Sequence, residues 1–119
     1  MASEITDILD LNIIQNLKDL GGDNDNSFFK ELIELYFDQA PGLLDDIKNA
    51  ANSKNPLKMS QSAHALKGAS LNIGAIKFSE VCKTLEFKGK NNNLENIDAL
   101  LTELDESFVI TSEELRKLI

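Results

Sequence analysis

The only histidine of this 119-residue chain is His64, and Lys67 and Gly68 follow it at helical spacing. Met59, Ala63, Leu66, Ser70 and Ile73 step by three and four along one face, the pattern of a helix buried on one side. His64 lies nearly opposite Leu66 on the wheel and so faces water. An unperturbed imidazole has a pKa of about 6.5, which leaves a nucleophilic ring nitrogen near neutral pH. Such a nitrogen can accept a phosphoryl group from an activated donor and hand it on. That transfer asks for in-line positioning and charge stabilisation, and for little covalent chemistry from the protein.

Lys67 shares the helical face of His64, within reach of a phosphate on the ring. Gly68 is the more unusual residue, because glycine inside a helix costs about 1 kcal/mol relative to alanine. No neighbouring turn or cap explains it. Without a Cβ it leaves a dent beside His64 into which a partner's loop can press. Leu57, Ala65 and Leu71, with Ser60 and Gln61, predict a small and mostly uncharged docking patch around the histidine. Gln61, one turn earlier, is spaced to hydrogen-bond the ring or a phosphate. Each residue alone is an ordinary surface residue, and only their joint occurrence points to chemistry.

Helices must position these residues, since no segment shows strand-like alternation. Asp10 predicts a capped first helix over about residues 10–20 that stops at Gly21-Gly22. Asp23 to Asn26 reads as a loop. A long second helix is predicted from Ser27 to Ala51, with Phe29, Ile33, Tyr36, Ala40, Leu43, Ile47 and Ala50 on its buried stripe. Pro41 removes a hydrogen bond to the Phe37 carbonyl and predicts a kink, but the stripe keeps its phase across it, which favours one helix over two. Asn55-Pro56 is a cap followed by proline at the first helical position, and starts a third helix that Gly74 can end. A fourth is predicted from Ala75 to Lys88, stopping at Gly89. A fifth runs from Leu94 towards the C-terminus, with a possible break near Thr111. The short connections make sequential helices antiparallel neighbours. The expected fold is all-α: an up-down antiparallel four-helix bundle with an additional short N-terminal helix, as one domain over residues 1–119.

Composition narrows the function. A net charge of −8 argues against a broad basic surface for nucleic acid. No apolar run approaches the roughly 20 residues of a membrane span, and Met1 to Glu4 lack the start of a signal peptide. Cys82 is the sole cysteine and falls on an apolar stripe with Phe78, Val81 and Leu85, so it reads as a core residue in a reducing, cytoplasmic setting. No metal-ligand spacing and no nucleotide-binding loop is present, so neither a metal site nor a cofactor is expected, and the chain is not expected to phosphorylate itself. A self-sufficient core favours a monomer, and the start at Met1 a complete small protein.

The stretch Ala63-His64-Ala65-Leu66-Lys67-Gly68-Ala69-Ser70, continuing to Gly74-Ala75, resembles the signature of the histidine-containing phosphotransfer (HPt) domain. Cys82 to Glu86 with Gly89-Lys90 looks like the next helix of that family, and Phe29 to Leu43 with its proline fits upstream. The resemblance covers essentially the whole chain. Ala69 stands where many members have serine. The resemblance implies a helical-bundle carrier in a multistep two-component phosphorelay, not itself an enzyme. His64 would take a phosphoryl group from a receiver-domain aspartate and pass it to another receiver. Lys67 would steady the phosphate and Gly68 make room for the receiver. The implied partners are response-regulator receiver domains or a hybrid sensor histidine kinase, with any magnesium supplied by the receiver's aspartate pocket. The alternative is a helical interaction module that binds a signalling partner through the same face without chemistry.

Overall fold

A computed structural model describes residues 5–21 and 27–119. Among these residues there are six helices and no strand: α1 (Ile5–Ile8), α2 (Leu11–Leu20), α3 (Ser27–Asn52), α4 (Pro56–Asn72), α5 (Ile76–Lys90) and α6 (Ile97–Arg116). The last four form the up-down bundle, and α4 packs chiefly against α5 and α3. The loop predicted at Asp23 to Asn26, and Gly22 before it, lie outside the described residues.

The capping side chains set the helix starts. The Asp10 carboxylate accepts from the amides of Asn12 at 3.0 Å and Ile13 at 3.3 Å, opening α2. Asn55 accepts from the Lys58 amide at 3.1 Å, with Pro56 as the first residue of α4. These side chains satisfy amides that a helix N-terminus otherwise leaves unpaired. Gly74 ends the α4 segment at φ +81°, a conformation that disfavours any Cβ. Its carbonyl accepts from the Asp10 amide at 2.8 Å, which ties the start of α2 to the turn between α4 and α5.

Besides α6 starting at Ile97 rather than Leu94, three features differ from the sequence-based expectation. The one-turn helix α1 precedes the helix expected at the N-terminal end, and the adjoining Ile8 and Leu9 are buried against the bundle. On α3 the stripe passes through Leu44 rather than Leu43, which is only half-buried. Steps of four then three from Ala40 fit a period of 3.6 as well as three then four, so the wheel alone does not separate them. The helix runs unbroken across Pro41, and α6 runs unbroken across Thr111.

The third difference bears on the site. Gly89 does not stop α5 but lies buried within it. A Cβ there would stand 2.5 Å from the carbonyl oxygen of Pro56 and 2.7 Å from Cβ of Ser60. Glycine at 89 is therefore what lets α5 approach the first turn of α4. Gly89→Ala is expected to destabilise the fold by about 1–3 kcal/mol, because backbone cannot step aside as a flexible side chain can. Urea unfolding checks this, and a loss below about 0.5 kcal/mol, the range of neutral surface changes, would refute the close approach.

The buried stripe of α4 is the one the sequence predicts: Met59, Ala63, Leu66, Ser70 and Ile73 all face the core. Ser70 is tolerated there because its hydroxyl lies 2.7 Å from the phenol oxygen of Tyr36 on α3, so neither polar group is buried unpaired. Cys82 is buried as expected, and burial pushes its thiol up to about 12.

Candidate functional site

With its opposite stripe in the core, α4 presents His64 to solvent, and the imidazole side chain is 68% exposed. Nδ1 lies 2.9 Å from Oε2 of Glu86, which reaches across from α5. The Glu86 side chain is only 6% exposed and also gathers two lysine cations. Nζ of Lys67 stands 2.7 Å from Oε1, and Nζ of Lys90, one turn along α5, stands 3.1 Å from Oε2. Lys67 holds the carboxyl well below its ordinary range, and Lys90 and His64 add to this against the opposing effect of burial. The result is a pKa lowered to about 2.

An ionised carboxylate only accepts hydrogen bonds. Nδ1 therefore carries a proton and donates it to Glu86. In the neutral ring this tautomer leaves the lone pair on Nε2, the nitrogen on the far side of the ring from Glu86. Among the described residues, no hydrogen bond is made by Nε2. The arrangement orients a nucleophile and offers charge opposite the side that would react.

The surroundings sort the other candidates. Leu57, Ala65 and Leu71 are exposed, as is Gln61. Leu57, Gln61, His64, Glu86 and Lys90 line one shallow concavity. Ser60 also touches this concavity, but its expected outward placement is corrected: it is buried under the Gly89 contact. Lys67 is half-buried, and its ammonium is engaged by Glu86 rather than standing free beside the ring. A Cβ built at Gly68 meets nothing within 4 Å, so open space lies there as expected. Sequence reasoning assigned no role to Glu86 or Lys90. The available signal was a glutamate beside the buried position Leu85 with a lysine four residues on, a spacing that also suits an ordinary surface pair.

The sequence profile of the Hpt domain matches residues 31–108. The chain belongs to the Hpt domain family. Relatives of this Hpt domain include the Multistep phosphorelay regulator 1 of Schizosaccharomyces pombe, 27% identical over 81% of this chain and 32% of that protein. The Phosphorelay intermediate protein YPD1 of Candida albicans is 30% identical over 62% of this chain and 40% of its own length. The Hpt domain thus spans well under half the length of these two relatives. Among solved structures, the histidine-containing phosphotransfer protein MtHPt2 of Medicago truncatula superimposes with a TM-score of 0.83 at 26% identity, over 96% of this chain and 78% of that one.

The buried carboxylate makes the stability of the Hpt domain sensitive to acid. Glu86 is ionised in the fold down to about pH 2, against an ordinary value of 4.5. A depressed pKa contributes stability above the ordinary value, and that contribution is lost as pH falls through the window from 4.5 to about 2. The full shift corresponds to an upper bound of about 3 kcal/mol, reduced by the solvent that reaches the exposed His64 and Lys90. The stability gap between the unaltered chain and Glu86→Gln is expected to narrow by that order across the window. A gap that does not change with pH, measured by urea unfolding, would show that Glu86 is not held ionised by its cluster.

No helix of the described residues is long and apolar enough to cross a membrane. Among them no group of three or more His, Cys, Asp or Glu side chains is arranged to hold a metal ion.

Proposed function

We propose that this Hpt domain is a phosphocarrier of a multistep two-component relay, acting as a cytoplasmic monomer and a single domain over residues 1–119. Its partners are receiver domains of response regulators or of a hybrid sensor histidine kinase. The observation that carries the reading is the exposed His64 whose Nδ1–H is taken by Glu86, leaving Nε2 to react.

In the forward step the Nε2 lone pair attacks the phosphorus of a receiver aspartyl phosphate in line with the leaving oxygen. The N–P bond forms, and the P–O bond to the aspartate breaks. The electron pair leaves with that oxygen and restores the carboxylate. Nδ1 keeps its proton, so the ring becomes cationic as the bond forms. The Glu86 carboxylate, 2.9 Å away, offsets that charge without reorganising. Lys67 and Lys90, already gathered at Glu86, are the cations that can turn to the phosphoryl oxygens. The reverse step hands the group to the aspartate of a second receiver. Positioning, not general-base catalysis, is what this chain supplies, and the receiver brings magnesium and the rest of the machinery. That division makes the chain a substrate and carrier rather than an enzyme.

Glu86→Gln keeps an acceptor for Nδ1–H and removes its charge. A charge-assisted hydrogen bond exceeds a neutral one by about 1–1.5 kcal/mol, so transfer to His64 is expected to slow about tenfold. Equal rates would remove Glu86 from the mechanism.

The reading is tested by incubating the chain with a phosphorylated receiver domain and magnesium. Acid-labile label should appear on the chain and map to Nε2 of His64. Label elsewhere, or binding without any label, would overturn the carrier in favour of a docking module.

A further inference from the structure

The charge of this chain is segregated. No aspartate or glutamate occurs between Asp46 and Glu80, although the chain has 20 of them. Residues 56–90, which make α4 and α5, hold six lysines against two glutamates, a formal charge of +4. The remaining residues hold six cations against eighteen carboxylates, −12, which together give the overall −8. Of the two glutamates in the positive segment, Glu86 is buried beneath its own cations. Lys58 and Lys83 are exposed, and among the described residues neither is paired. Lys67, Lys83 and Lys90, with Glu80 as the one exposed carboxylate among them, line a groove beside the exposed ring of Phe87, and Lys90 continues into the concavity that holds His64. Helix α6 carries the opposite sign, with Asp98, Glu103, Asp105, Glu106, Glu113 and Glu114.

We propose that this segregation steers docking. The α4–α5 face is a landing surface for the acidic rim of a receiver's aspartate pocket, and the acidic remainder repels the same rim. The proposal rests on the carrier reading above. A pocket that presents an aspartyl phosphate, with carboxylates for its magnesium, is anionic where it must meet His64. Opposite potentials act before contact and bias the encounter towards the orientation that brings Nε2 to the phosphorus. The −12 remainder makes wrong-way encounters repulsive, which selects orientation as well as attraction. Steering of this kind raises association rates by roughly 10- to 1,000-fold and is screened by salt.

The test measures association of the chain with a purified aspartate receiver domain and magnesium by stopped flow. Ionic strength is varied from about 0.01 to about 1 M, over which the Debye length shrinks from about 30 to about 3 Å. The association rate constant should fall at least about tenfold, and the dissociation rate far less. Lys58→Glu combined with Lys83→Glu should slow association about tenfold at low salt, with the deficit closing at high salt. Glu103→Lys combined with Glu106→Lys on α6 should leave association unchanged or faster. Association indifferent to salt, or equal slowing by both pairs, overturns the steering. If transfer to His64 still occurs in that case, the carrier reading stands. Salt-steep association without transfer overturns the carrier and keeps the surface, and absence of association overturns both.

Discussion

His64→Gln accepts no label from a phosphorylated receiver and unfolds at the same urea concentration as the unaltered chain. The loss is complete because no second histidine is present to substitute, and glutamine offers an amide with no nucleophilic nitrogen. The fold is indifferent for three reasons. The ring is 68% exposed, so little apolar contact is lost. Glutamine is a better helix former than histidine. Glu86 keeps Lys67 and Lys90, so its charge is not left buried and alone. The stability change should stay within about 0.5 kcal/mol. Residual label at even a tenth of the original extent would place the phosphoryl group on another residue. Loss of the fold would make the imidazole a structural element instead.

That outcome was within reach of the sequence because exposure follows from phase. Four residues of α4, with Ile73 just past its end, step by three and four and fix which side is buried, and His64 lies on the other. The starts of α2 and α4 were legible for a similar reason, since Asp10 and Asn55 act on amides two or three residues away. What depends on two helices at once was not legible. Glu86 is 22 residues from His64, and its reach depends on how α5 lies along α4. Gly89 has two physical meanings, a helix stop or a close approach, and only the packed neighbour decides between them. The same contact buries Ser60, so one misread glycine also misplaced a serine. Lys67 illustrates a third limit: its face was predicted, but its ammonium takes its position from Glu86, a partner on another helix. Helix α1 is a single turn, too short for a periodicity to repeat.

Gly68 and Gly89 invite opposite expectations from the same substitution. At Gly89 a methyl group meets backbone; at Gly68 it meets open space. Gly68→Ala should therefore stabilise the isolated chain, by up to about 1 kcal/mol, since alanine is the better helix former. The gain is in the wrong place for docking. A receiver that brings its phosphoryl group to Nε2 must press against the turn after His64, where the added methyl now stands. Overpacking of a fitted surface costs about 1–3 kcal/mol, so transfer should slow roughly 5- to 150-fold, with Gly68→Gln slower again. Unfolding and transfer measured on one preparation separate the two effects, because a merely structural glycine would move both in the same direction. Transfer unimpaired in Gly68→Gln would show that the receiver approaches from the other flank of α4, past Leu57 and Gln61.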